Sequence, residues 1–219
     1  MKTVAFVPIR LNSKRVPGKN LRPLAGRPLF VHILHTLLRV PEIDEVYLYA
    51  SDFTELLPHT PPGVICLPRP SSLDSDLTLG EEIYDAFTAA VPAHRYVLAH
   101  ATSPFLRAET LSSALAEMTS GAHDSAFSAR RIKTFAWYEG KPLNYSPSHI
   151  PRTQDIEPVY TETSAFYAFI RELWAEQRRR VGHSPYMAVV DDVEGMDIDY
   201  PDDFRMAEIM AATFPPHQP

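Results

Sequence analysis

Cysteine is all but missing from this chain: one residue in 219, Cys66, so no internal disulfide can form. Cys66 sits in the apolar run 64–67 and reads as a buried strand residue, a reactive thiol being the alternative. A reducing, cytoplasmic setting is the expectation. Glycine is scarce as well, 8 residues against 21 prolines, so the connections between elements should be stiff. Neither glycine-rich phosphate motif, G-x-x-x-x-G-K-[ST] or G-x-G-x-x-G, occurs. No apolar run approaches the roughly 18 residues that a membrane span needs. The first strand-like residues begin at position 3, so no secretory leader is expected. Excess positive charge is absent too; the net charge of -6 argues against bulk nucleic-acid binding. There is no internal repeat, and the proline-rich end 214–219 is expected to fray. With 45% hydrophobic residues and a mean hydropathy of -0.18, the composition is that of a soluble globular protein, read as one domain over 1–219.

What is present is an alternation of strand and helix patterns. Residues 3–9 are apolar and largely β-branched and read as a buried first strand. Pro28 opens a helical pattern that runs to Leu38, and strands follow at 45–50 and 64–67. Residues 81–91 have helical spacing, with Ile83, Ala86, Phe87 and Ala90 on one face. A strand at 96–100, a helix at 109–118 and a strand at 125–129 come next. The pattern resumes at 165–170, then a helix from Arg171, a strand near 187–190 and a last helix from Pro201. Such alternation predicts an α/β fold, a mostly parallel sheet covered by helices on both faces. Between, residues 133–160 have no clean period and hold Trp137, Tyr138, Asn144 and Tyr145. An aromatic-rich arm of this kind suggests a subunit contact, a loop folded over its own domain being the alternative.

The loop after the first strand, 10–20, carries Arg10, Lys14, Arg15 and Lys19, with Ser13 and Asn20 as hydrogen-bonding groups and Pro17-Gly18 to bend it. Open α/β sheets place ligands at the carboxyl ends of their strands, and cations beside free backbone N–H groups suit a polyphosphate. The bland reading is a solvated basic loop. Asp197 and Asp199 are alternate residues of an apparent strand and should point the same way. Two adjacent carboxylates repel unless a cation joins them, and their hard oxygens suit Mg²⁺. Asp202 and Asp203 read instead as residues near a helix N-terminus. His100, ending the central strand, could meet an anion or accept a proton, or could be a satisfied structural histidine.

The loop pattern R-x-x-S-K-R-x-P-x-K-N resembles the signature of the acylneuraminate (CMP-sialic acid) cytidylyltransferases, which join CTP to a sugar acid and release pyrophosphate. Further landmarks follow in the family's order. Arg69 to Asp76 resembles R-P-x-x-L-x-x-D, and Thr102-Ser103-Pro104 resembles the end of Q-P-T-S-P, with His100 and Ala101 in place of Gln and Pro. Arg152, Gln154, Asp155, Tyr160 and Tyr167 follow R-R-Q-D-x-x-x-x-Y-x-x-N-G-A-x-Y, with departures at Thr153, Thr163 and Ser164. Asp197-Ile198-Asp199 and the following Tyr-Pro-Asp-Asp-Phe form the closing signature.

The resemblance implies a Rossmann-like three-layer nucleotidyltransferase whose arm at 133–160 exchanges contacts across a homodimer. It implies that Arg10, Lys14 and Lys19 hold the triphosphate, with Asn12, Ser13, Asn20, Arg69, Ser75 and Asp76 as further nucleotide contacts. His100, Thr102, Ser103, Arg152, Gln154, Tyr160, Phe166 and Tyr167 would meet the acceptor. Asp197 and Asp199 would hold Mg²⁺, with Asp199 needed for catalysis alongside Arg10, Lys14 and Lys19. The implied partners are CTP and an anionic small molecule, with neither nucleic acid nor membrane. The default acceptor is a nonulosonic acid. The departures, together with the added Arg130 and Arg131, keep a small phosphonate open. A glycosyltransferase with an Asp-x-Asp would leave the basic loop unexplained, and a silent nucleotide-binding subunit would not need the carboxylates.

Overall fold

A computed structural model describes residues 1–216. The run Thr3–Ile9 forms strand β1, in which only Pro8 keeps partial exposure. Helix α1, Leu29–Leu38, begins directly after Pro28, where a missing N–H breaks no helical bond. There follow β2 (Glu45–Ala50), β3 (Val64–Pro68), α2 (Gly80–Ala90), β4 (Arg95–Ala99), α3 (Ala108–Thr119) and β5 (Ser125–Ile132). Then come β6 (Val159–Ile170), α4 (Arg171–Gln177), β7 (Pro185–Val190) and α5 (Pro201–Thr213). Among the described residues no helix is long and apolar enough to cross a membrane.

The seven strands form one sheet in the order β7-β5-β6-β4-β1-β2-β3. Neighbours are parallel except at β6, which runs antiparallel to both β4 and β5. Alternate residues of β1 face opposite sides, so Ala5, Val7 and Ile9 pack under α1 and α3 while Val4 and Phe6 meet α2 and α4. The second side is aromatic: Phe6 stacks on Phe87 with centroids 4.1 Å apart, and Tyr84 meets Trp174 edge-on at 4.8 Å. Helix α2 is rotated from its expected face. It buries Tyr84 and Phe87 and leaves Ala90 exposed, because an aromatic ring removes far more apolar area from water than a methyl group does.

The chain steps from β1 outward to β2 and β3, then returns to the other side of β1 as β4. Connections leaving β1 and β4 therefore diverge, and a crevice opens between their carboxyl ends. A third apolar cluster closes it from one side: Val16 of the first loop, Phe105 and Ile198 pack against Phe204, Ala207 and Ala211 of α5. Residues 133–160 form a small hairpin, Trp137–Tyr138 against Lys141–Pro142, and a single 3₁₀ turn, Thr153–Asp155. The Asn144 amide donates to the Thr134 and Glu157 carbonyls at 2.8 and 2.9 Å, which pins the base of this arm. Residues 196–199, expected as a strand, pair with no sheet; a single backbone bond, Ile198 N–H to Thr102 carbonyl at 2.9 Å, ties them to the turn after β4.

Phe204→Ala should cost about 3–5 kcal/mol, since it empties the centre of the third cluster. Urea unfolding of the variant and its parent measures this.

Candidate active site

The crevice contains two adjoining cavities. One, of about 230 Å³, is lined by Arg10, Ser13, Lys14, Arg15, Lys19 and Asn20 from the first loop and by His100 and Thr102 from the turn after β4. The other, of about 260 Å³, lies between Arg10, His100, Arg69, Ser75, Asp76 and Thr78. Pro8, Arg10 and His100 belong to both walls. A third cavity, of about 450 Å³, opens beside them between Arg130, Glu162, Ser164, Asp192, Asp197 and the methionines Met196, Met206 and Met210.

The cationic loop and the acidic segment meet. Lys19, 8% exposed, donates from Nζ to the Ile198 carbonyl at 2.7 Å and to Asp199 Oδ1 at 3.4 Å. Burial holds its pKa below the usual lysine value, with Asp199 acting in the opposite direction. Arg15 grips both oxygens of Asp199, Nη2 to Oδ1 at 3.0 Å and Nη1 to Oδ2 at 3.2 Å, with its guanidinium 5.1 Å from the Tyr200 ring. Asp203 accepts from the N–H groups of Asp199 and Tyr200 at 2.9 and 2.7 Å, which caps α5 and fixes the turn that presents Asp199. Asp197 lies deeper. Burial raises its carboxyl above the ordinary value, the Thr102 hydroxyl pulling the other way, and its Oδ1 is buried with no hydrogen-bond partner.

His100 donates from Nδ1 to the Ser164 carbonyl. Ser164 takes a left-handed conformation, φ +59°, at a bulge in β6, and this turns its carbonyl toward the ring. Burial lowers the His100 pKa, so the ring is neutral at pH 7 and Nε2 keeps its lone pair. Arg69, buried, is held by Asp74 at 2.6 Å, and Asn20 ties the loop by donating to the Arg10 carbonyl at 3.0 Å.

Several expected contacts lie elsewhere. Phe166 and Tyr167, expected to meet an acceptor, belong to the two faces of the core at 0% and 1% exposure, and the Tyr167 hydroxyl is spent on Glu162. Ser103 is equally buried. Phe166 and Tyr167 alternate into the core on the two sides of the sheet and so present almost no surface to a ligand. Arg152 pairs with Asp155 at 2.6 Å on the surface. Gln154, Tyr160 and Asn12 are exposed and line none of the three cavities. The clasp of Arg15 on Asp199 and the cavity beside Arg130 were not among the expected site features. The pair Arg130-Arg131 was the one visible signal for that cavity.

A family model described as Cytidylyltransferase matches residues 4–195. The chain belongs to this family. The chain is 29% identical over 215 residues to an N-acylneuraminate cytidylyltransferase of Oncorhynchus mykiss, covering 93% of this chain and 49% of that protein. It is 24% identical over 191 residues to the pseudaminic acid cytidylyltransferase of Campylobacter jejuni, covering 81% and 82%. The chain thus spans about half the length of the first of these relatives. Its fold matches the solved structure of CMP:2-keto-3-deoxy-manno-octonic acid synthetase complexed with CTP, with a TM-score of 0.71 at 18% identity over 97% of this chain and 99% of that one.

The buried Asp197 carboxyl sets a pH signature. Because folding raises its pKa, its contribution to stability is complete below the ordinary aspartate value of about 3.8 and is lost as pH climbs through the folded value. Asp197→Asn should therefore be more stable than the parent at neutral pH in chelator, the gap closing toward pH of about 3.5. Urea midpoints of both proteins across that range measure it.

Proposed function

We propose that this cytidylyltransferase chain transfers CMP from CTP to the hydroxyl of a sugar acid and releases pyrophosphate. The observation that carries the reading is the meeting of the first-loop cations with the closing carboxylates: Arg15 and Lys19 reach Asp199 across a crevice at the strand-order reversal. The cavity bearing Arg69, Ser75 and Thr78 suits a pyrimidine edge, and the one bearing Arg10, Lys14 and Lys19 suits the phosphates.

The third cavity suits the acceptor. At about 450 Å³ it falls within the roughly 300–1,000 Å³ that encloses drug-sized ligands, whereas a two-carbon phosphonate would leave most of it to water. Arg130 offers a guanidinium to a carboxylate, Glu162 and Asp192 offer acceptors to hydroxyls, and the three methionines offer an apolar wall. In the reaction the acceptor oxygen attacks the α-phosphorus in line. A new O–P bond forms as the bond to the β-phosphate oxygen breaks, and pyrophosphate leaves toward Arg10, Lys14 and Lys19. The acceptor's proton passes to Nε2 of His100, the nitrogen left free by the bond to Ser164.

Asp197 and Asp199 would hold Mg²⁺. The unpartnered Asp197 oxygen and the arginine already clasping Asp199 both mark a place that attracts a cation. Among the described residues no group of three or more acidic, histidine or cysteine side chains is assembled for a metal, so of this chain's side chains these two carboxylates alone would hold it. When bound, the ion supplies charge neutralisation at the phosphate and acidifies the acceptor. We also infer that the arm, with Trp137, Tyr138, Leu143 and Ile150 exposed, packs on a second copy.

Titration calorimetry should show CTP binding above UTP, and pyrophosphate release should require a nonulosonic acid. Turnover with a small phosphonate and none with sugar acids would replace the acceptor assignment. Asp199→Ala should lower turnover by about a thousandfold or more, equivalent to about 4 kcal/mol of barrier, with an unchanged circular dichroism spectrum. Mg²⁺ should raise the melting temperature of the parent and leave that of Asp197→Ala unmoved.

A further inference from the structure

We propose that Asp76 stands where a phosphate goes, and that it competes with the triphosphate, and after transfer with pyrophosphate, for Arg10 and Lys14. This rests on the CTP reading above. Asp76 Oδ1 accepts from Arg10 Nη1 at 2.8 Å, and its other oxygen meets Lys14 Nζ. One carboxylate, brought in from a loop 66 residues away, thus bridges two of the four cations of the first loop. Among the described residues it is the one carboxylate paired with either cation. Its position is the seam of the two crevice cavities. Asp76 lines the cavity suited to the base, Lys14 lines the one suited to the phosphates, and Arg10 lines both. A nucleoside triphosphate lying across both has to pass that point.

Burial of the cation separates this bridge from the pairs made by Arg69 and Lys19, though not from the clasp of Arg15 on Asp199, whose side chains are 53% and 39% exposed. Arg69, which holds Asp74, has a side chain 2% exposed, and that of Lys19 is 10% exposed. Arg10 and Asp76 are each 41% exposed and Lys14 is 81% exposed. Exposed pairs of this kind are weak and exchange readily, whereas a buried pair cannot lose one partner cheaply. Leu77 and Leu79, beside Asp76 in the chain, are exposed and pack on no core cluster, so an outward shift of this loop would break no core packing by them. In the free protein the carboxylate limits repulsion between Arg10 and Lys14. When a phosphate arrives it is displaced, and when pyrophosphate has formed it returns and hastens release.

The test compares the parent with Asp76→Asn, Asp76→Glu and Glu117→Gln, the last removing the same charge from an exposed site on α3. Each protein is titrated with tripolyphosphate, pyrophosphate, CTP and cytidine in one fixed buffer. Asp76→Asn should bind the three phosphate ligands about tenfold more tightly, with cytidine unchanged and Asp76→Glu close to the parent. Pyrophosphate should become a correspondingly stronger product inhibitor of Asp76→Asn. Equal or weaker binding of the phosphate ligands by Asp76→Asn would overturn the proposal, as would the same gain in Glu117→Gln or with cytidine. If tripolyphosphate tightens as expected but CTP binds no better than tripolyphosphate, the CTP reading fails while the competition at Arg10 and Lys14 stands.

Discussion

The arrangement depends on a lysine buried at a place where lysines are rarely buried. Lys19 Nζ lies between the Ile198 carbonyl and Asp199, and so joins residues 179 and 180 positions apart. Taking an ammonium out of water is costly, and the depressed pKa of Lys19 records that cost. Such a pair adds little net stability; what it fixes is geometry. The stability of the same region comes from the apolar cluster of Val16, Ile198 and Phe204 directly beside it. Loop and carboxylate are held together by hydrophobic packing, and their relative position is set by one charged group.

Around that anchor the charges are distributed by burial. A chain of net charge -6 gathers four cations in eleven residues, and left alone they would repel one another. Each is answered from a different part of the chain: Arg10 and Lys14 by Asp76, Arg15 and Lys19 by Asp199. Pairs sunk in the core behave as framework, and pairs open to solvent can be exchanged for a ligand. The same residue type therefore serves two purposes. Lys19 and Lys14 are five positions apart, yet one is nearly enclosed and the other almost free.

Much of this was readable before any coordinates. Strand β1, helix α1 and strand β2 begin and end within a residue of the expected limits, because β-branched runs and a helical period leave few alternatives. The loop after the first strand lines a cavity where the strand order reverses, as its place in the chain suggested for a candidate site. Asp199 meets the cations of the first loop and Asp197 lines the cavity beside the crevice, though not through the alternation of a strand. They sit on an irregular segment anchored by Ile198 and Asp203. Phe166 and Tyr167 illustrate the opposite case, in which a resemblance of motif pointed at residues that the two-layer covering of the sheet buries. The left-handed conformation at Ser164 was not legible, because nothing in a serine announces φ +59°.

Direction of travel was the other hidden variable, and it matters more than any single side chain. An apolar run has the same composition read either way, so pattern alone cannot orient β6. Because β6 runs against β4, with Phe166 opposite Ala99, the residues preceding Ala165 emerge at the end of the sheet where β4 delivers His100. The parallel strands β5 and β7 end there too, bringing Arg130 and Val190 to the same side. A parallel β6 would have carried Thr163 and Ser164 to the opposite end and left His100 without its carbonyl. One reversed strand thus places the cavity beside Arg130 next to the crevice between β1 and β4. The bulge within it supplies the hydrogen bond that joins the two.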